Sequence, residues 1–160
     1  MSRILRVNKQ LHWETEEILY SGFEFSFLDT TPYNLQGFLE ALSPRARSLI
    51  QHVSWSINMN GRIRDSIRQG HIENWKACFK VMCKEIPSLR KVALQFRFLG
   101  GLATSNMRTT FIASMMDLVS VFDKGKDVSL LSYDGTSPVD KQGAEIVNDC
   151  RRMIAQQRRS

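Results

Sequence analysis

The sequence predicts one α/β domain over residues 1–160, an arc of helices and parallel strands with every helix on the same face of the sheet. Two observations carry that expectation. Helix-patterned and strand-patterned segments alternate in the order α-β-α-β-α-β-α-β-α, and strands separated by a helix pair parallel through right-handed crossovers. Three of the four strand segments also alternate apolar with polar residues, whereas a sheet covered on both faces reads as continuous apolar runs.

Residues 3–20 form the first helix, with Ile4, Val7, Leu11, Ile18 and Leu19 near one stripe and Glu14, Glu16 and Glu17 off it. Gly22 offers a stop. Phe23, Phe25 and Phe27 alternate with Glu24 and Ser26, the mark of a strand with one buried face. Thr31-Pro32 and Ser43-Pro44 each pair an N-cap with a proline at the first helical position. Behind the first of them, Leu35, Phe38, Leu39 and Leu42 recur at helical spacing. The second strand, His52 to Ile57, turns Val53, Trp55 and Ile57 one way. Residues 58–70 are polar and without a clear period, so they read as a loop or a weak helix.

A helix over about 71–85 aligns Ile72, Trp75, Phe79, Met82 and Ile86, and Pro87 stops it. Lys91 to Phe98 is the clearest strand: Val92, Leu94, Phe96 and Phe98 alternate with Lys91, Ala93, Gln95 and Arg97. Gly100-Gly101 breaks it. A helix over about 107–123 buries Phe111, Met115, Leu118 and Phe122, and a weaker strand follows over about 127–133. The last helix opens on the Ser137-Pro138 cap and buries Val147, Cys150 and Ile154.

Strand starts near 23, 51, 91 and 127 are too irregular for a strict repeat but suit a loose structural one. The expected fold is therefore a short leucine-rich-repeat-like arc. Its inner face holds Phe23, Phe25, Phe27 and the apolar rows of the next two strands. Its outer face carries Glu24, Ser26, His52, Ser54, Ser56, Lys91, Gln95, Arg97, Ser129 and Tyr133. Solenoids of this kind bind partners on such a face, which makes Ser54, Ser56, Lys91, Gln95, Arg97 and Tyr133 the candidate partner-binding residues. At the first helix and strand the sheet has an uncapped end. Open strand edges invite pairing, so that end is expected either to form a homodimer or to be packed over by the first helix.

Leu5-Arg6-Val7-Asn8-Lys9-Gln10-Leu11, with Glu14, Leu19, Tyr20 and Phe25-Ser26-Phe27, resembles a segment of uncharacterised fungal F-box-like proteins. Phe38 to Arg47, Leu49-Ile50, and Ile86-Pro87-Ser88-Leu89-Arg90-Lys91-Val92 extend the resemblance over roughly residues 3–98. It departs at Asn8, where a cysteine is common, at Trp13 and Glu16-Glu17, and in lacking the F-box-like segment that usually comes first. The resemblance implies a recognition arc without the adaptor-binding part, and it supplies no catalytic residue.

Composition narrows the function further. The net charge is +6, but Arg151, Arg152, Arg158 and Arg159 lie in a basic tail at about 151–160 that has no acid, leaving +2 on the rest. With Arg62, Arg64 and Arg68 they make nucleic-acid binding the alternative to protein binding. No apolar run suits a signal peptide or a membrane span, and an intracellular protein, cytoplasmic or nuclear, is expected. Cys78, Cys83 and Cys150 fit neither a disulfide framework nor a zinc spacing and read as buried apolar fillers. His12 with Glu16 gives two ligands on one helix face where zinc needs more. Ser88-x-x-Lys91 bridges a proline turn instead of opening a helix, and Gly100-Gly101 lacks a phosphate-loop lysine. The expectation is a non-enzyme with no cofactor and no metal.

Overall fold

A computed structural model describes residues 2–28, 30–59, 70–98, 105–122, 125–132 and 138–159. Among these residues ten elements follow one another: α1 (Ser2–Ser21), β1 (Phe25–Leu28), α2 (Pro32–Ala41), α3 (Pro44–Leu49), β2 (His52–Met59), α4 (Gly70–Glu85), β3 (Lys91–Phe98), α5 (Ser105–Val119), β4 (Asp127–Ser132) and α6 (Pro138–Arg159). The four strands are parallel and lie in sequence order, β1-β2-β3-β4. Arg62, Arg64, Arg68, Gly100-Gly101, Tyr133 and the Ser137 cap lie outside the described residues.

The register aligns like with like across the sheet. Phe25, Val53, Val92 and Val128 form one row; Phe27, Trp55, Leu94 and Leu130 form the next. Ile57 and Phe96 follow. These side chains point to the helices, and in β2 and β3 they are buried throughout. The alternate positions, Ser26, Ser54, Ser56, Lys91, Gln95 and Arg97, are exposed or half-buried. Among the described residues the helices thus cover one face only, and the α/β arc stands. Ala93 departs from its row: it is 8% exposed, because a methyl group is screened by longer neighbours.

Long-range backbone hydrogen bonds hold the strand starts level. Lys91 N–H donates to the Gln51 carbonyl at 3.0 Å, and Asp127 N–H donates to the Arg90 carbonyl at 2.8 Å. Both proline-led helices start as the sequence dictates. The Thr31 hydroxyl accepts from Asn34 N–H at 3.2 Å and the Ser43 hydroxyl from Ala46 N–H at 3.0 Å.

Behind the sheet, rings run from Phe27 to Trp55 (5.3 Å between centroids), Phe79 (5.3 Å) and Phe122 (5.0 Å), while Phe111 meets Phe96 and Phe98 edge-on. Aromatic pairs at such spacing add about 0.5–1.5 kcal/mol each beyond the area they bury. At Gly143 of α6 an added Cβ would strike the Phe98 ring. Ion pairs join α1 to α3, α3 to α4, α4 to α5 and α5 to α6: Arg45 to Glu17, Arg47 to Glu85 (2.6 Å), Lys76 to Asp117 and Arg108 to Asp149. The hydrogen bond to Asp117 holds the Lys76 ammonium pKa above its ordinary value, against a smaller desolvation effect.

Two expectations change. The stripe of α1 does not form the core. Leu11, Ile18 and Leu19 are 55%, 69% and 45% exposed, while Glu16, expected off the stripe, is buried at 8%. The inner side of β1 is covered by Phe38 of α2 and by Tyr20, which reaches it from the last turn of α1 and stacks on Phe25 at 5.7 Å. What remains for the rest of α1 is the flank of α3, which presents polar groups. Phe23 is also exposed, at 57%, and precedes β1. Pairing begins with Phe25 opposite Val53, so Phe23 would fall opposite Gln51, before β2 starts.

Candidate docking surface on the sheet

The register assembles the outer face into rows. His52, Lys91 and Asp127 align at the N-terminal end, all exposed. Next come Ser26, Ser54, Ala93 and Ser129, one from each strand. The third row is Leu28, Ser56, Gln95 and Leu131, and the fourth pairs Asn58 with Arg97. The second row is uniformly small and its neighbours, Ser56 apart, are longer, so it forms the floor of a shallow trough across the four strands.

Strand geometry sizes this trough. Four strands spaced ~4.8 Å apart give a floor about 14 Å long, and walls two residues away on either side stand about 13 Å apart. An α-helix with its side chains is about 10–12 Å across, so the opening admits one helix face or one extended segment. Hydroxyls line the floor. The Ser56 hydroxyl donates to the Gln95 side-chain carbonyl at 3.4 Å, tying two residues of one wall together. Leu28 and Leu131, 64% and 40% exposed, place apolar contacts at both ends of that wall.

The sequence-derived candidates separate on this frame. Ser54 lies on the floor, Lys91 in one wall, Ser56 and Gln95 in the other, and Arg97 one row beyond. Leu28, Leu131 and Ser129 complete the surface. The parity of β4 already put Ser129 on the outer face, but the leucines needed the register to be seen as its ends.

The basic candidates are placed differently. Residues 151–159 are not a separate tail in the structure; they continue α6. Arg151 Nε donates to the Leu130 carbonyl at 2.7 Å and its Nη1 to Asn148 Oδ1 at 2.9 Å, which closes part of the open edge of β4. Arg152 lies 3.9 Å from Asp149. Arg158 and Arg159 stand in the last turn of α6. Between β4 and α6 a crevice of about 400 Å³ is lined by Val128, Leu130, Leu131, Arg151 and Ile154.

A polar knot joins α1 to α3. The Ser43 hydroxyl donates to Glu16 Oε1 at 2.7 Å while accepting from Ala46 N–H. Arg45 Nε lies 3.7 Å from Glu16 and its guanidinium sits 5.7 Å over the Trp13 ring, which is 55% exposed. His12 Nε2 is 3.5 Å from Glu16. A nucleophilic triad needs histidine between serine and carboxylate; here the carboxylate lies between, and it fastens a helix cap. The Ser43-Pro44 signal showed the cap, but its partner 27 residues away left no local trace.

Cys78 and Cys150 are buried and Cys83 is half-buried, a correction to the expectation for Cys83; none of the three is in a disulfide. Burial pushes the Cys78 pKa up to about 11 and the Cys150 pKa up to about 12. Among the described residues no three His, Cys, Asp or Glu side chains gather as metal ligands. No described helix is long and apolar enough to cross a membrane. No known family, curated protein or solved structure matches the chain.

Proposed function

We propose that the chain is a non-catalytic protein-interaction module that docks a helix or extended segment of a partner in the outer trough of its sheet. The carrying observation is the row Ser26, Ser54, Ala93 and Ser129, small on every strand and bordered, except at Ser56, by longer side chains. Hydroxyl and amide groups among exposed leucines give the polar and apolar mixture typical of non-obligate interfaces. The resemblance to the recognition arcs of F-box-like proteins points the same way, toward binding of a substrate or effector target.

Affinity purification from native cells, followed by a filled-trough variant, tests this reading. Ser54→Arg with Ser129→Arg should abolish capture of the partner with the far-ultraviolet dichroism unchanged, and Gln95→Ala with Arg97→Ala should weaken it. Undiminished capture by the filled variant refutes the proposal.

Nucleic-acid binding through Arg62, Arg64, Arg68, Arg151, Arg152, Arg158 and Arg159 is the second reading. It is favoured by the four arginines, with no acid among them, from residue 151 on and opposed by the commitment of Arg151 to Leu130 and Asn148. Affinity for DNA or RNA that falls steeply with salt, and is lost with residues 151–160, would support it over the trough.

A further inference from the structure

Strand β4 ends the sheet on one side, and an arginine stands on its edge. Along a strand the backbone N–H and C=O of alternate residues point to opposite edges. Asp127 N–H donates to the Arg90 carbonyl, toward β3, so Val128, Leu130 and Ser132 turn their backbone groups the other way. The arginine agrees with that parity. Arg151 Nε reaches the Leu130 carbonyl from α6 at 2.7 Å, and its Nη1 is tied to Asn148 Oδ1 at 2.9 Å, which fixes the guanidinium in place. Leu130 is the middle one of the three edge-facing residues.

Edge strands template pairing with another chain, and charged side chains blunt them. Val128, Ser129, Leu130, Leu131 and Ser132 carry no charge of their own, so the charge at this edge comes from Arg151. Without it, the edge is complementary to itself. Laid antiparallel across a two-fold axis, Leu130 would face Leu130 of a second copy, and Val128 would face Ser132 on either side. No like charges would oppose each other there. The central pair exchanges two hydrogen bonds, and one of its acceptors on each chain is the carbonyl that Arg151 holds. The layer behind the sheet also fits. Helix α6 packs over β3 and β4. With strands ~4.8 Å apart, its two copies would stand about 10 Å from each other, a distance at which helices pack. The crevice of about 400 Å³ between β4 and α6 lies where Leu130 of the second copy would enter. The same axis would bring two Arg151 guanidiniums together.

We infer that Arg151 is a guard on the edge of β4: it holds the Leu130 carbonyl and so keeps a second copy of this chain from pairing antiparallel with β4 across a two-fold axis at Leu130. This role is separate from the sheet trough and does not depend on it.

Sedimentation of the full chain over the micromolar range, combined with amide hydrogen exchange, tests it. Arg151→Ala and Arg151→Met both remove the donor and the charge, and the second keeps a long side chain over the crevice. Each, with unchanged far-ultraviolet dichroism, should self-associate about tenfold or more tightly than the wild type, because the acceptor is freed and the like charges are gone. The product should have twice the 18.4 kDa of one chain, and the Leu130 amide should exchange more slowly in it. Adding Ser132→Pro to Arg151→Met should return association to the wild-type level. Proline lacks the N–H that the pairing uses, and at a position facing away from β3 it takes no bond from the sheet. Variants that associate no more tightly than the wild type, a dimer whose Leu130 amide gains no protection, or one that survives Ser132→Pro would each overturn the inference.

Discussion

Helices α1 and α6 span 20 and 22 residues, both are amphipathic, and each lies at one end of the sheet. They use their apolar sides in opposite ways. Helix α6 turns Ile146, Val147, Cys150 and Ile154 into the core, and Arg151 closes the edge of β4 beside it. Helix α1 buries a glutamate and shows its leucine and isoleucine to solvent. The reason lies in what each helix meets. At the β4 end the inner row is open and apolar, so α6 supplies the missing layer. At the β1 end that row is covered by Phe38 of α2 and by the single Tyr20 from the last turn of α1, and along the rest of α1 the flank of α3 offers a serine and an arginine instead. An amphipathic pattern tells that a helix has two unlike sides; the neighbour decides which one is buried.

Charge insertion sharpens this contrast most. Val147→Asp puts a carboxylate where the side chain is 1% exposed and should cost ~4 kcal/mol or more in urea unfolding. Ile18→Asp, on the exposed side of α1, should change stability by no more than about 0.5 kcal/mol. Equal losses at both sites would break the comparison.

Gly143→Ala comes next. Alanine favours helix by about 1 kcal/mol over glycine, but the added methyl meets the buried Phe98 ring, and overpacking costs roughly 1–3 kcal/mol. A net loss is expected, and any gain in stability would show that α6 does not approach β3 so closely. At the other end, Ser43→Ala removes a helix cap and a hydrogen bond to Glu16 together, with an expected loss of ~2 kcal/mol. In a cycle with Glu16→Gln the two changes should be non-additive; additive losses would mean that the α1 clamp holds nothing.

The smallest effect concerns pH. Burial raises the folded thiol pKa of Cys78 to about 11 and of Cys150 to about 12, above the ordinary 9.0. The folded state thus holds protons that the unfolded chain releases, and stability falls as pH rises from near 9 toward those values. Cys150→Ala should flatten that slope. Near neutral pH, Cys83 should react first with a thiol reagent in the folded protein.

Much of this arrangement was legible in the sequence, because it rests on local pattern. Every second residue of Lys91–Phe98 was apolar, and every second one is buried. Thr31-Pro32 and Ser43-Pro44 announced two helix starts through chemistry confined to four residues. What stayed hidden depends on partners distant in the chain. The orientation of α1 turns on Glu16 finding Ser43 and Arg45, and the loss of Phe23 from β1 turns on where β2 begins. The trough was half visible: parity placed Ser54 and Gln95 on one face, but only the register showed that Ser26, Ser54, Ala93 and Ser129 share a row.

Cysteine scanning of the sheet addresses the bare outer face most directly. With Cys83 replaced by serine, thiols introduced as Ser54→Cys and Ser129→Cys should be alkylated in the folded protein, while Val53→Cys should react only on unfolding. Protection of both outer positions at the level of Val53→Cys would mean that a second layer covers the sheet, and the trough would not exist.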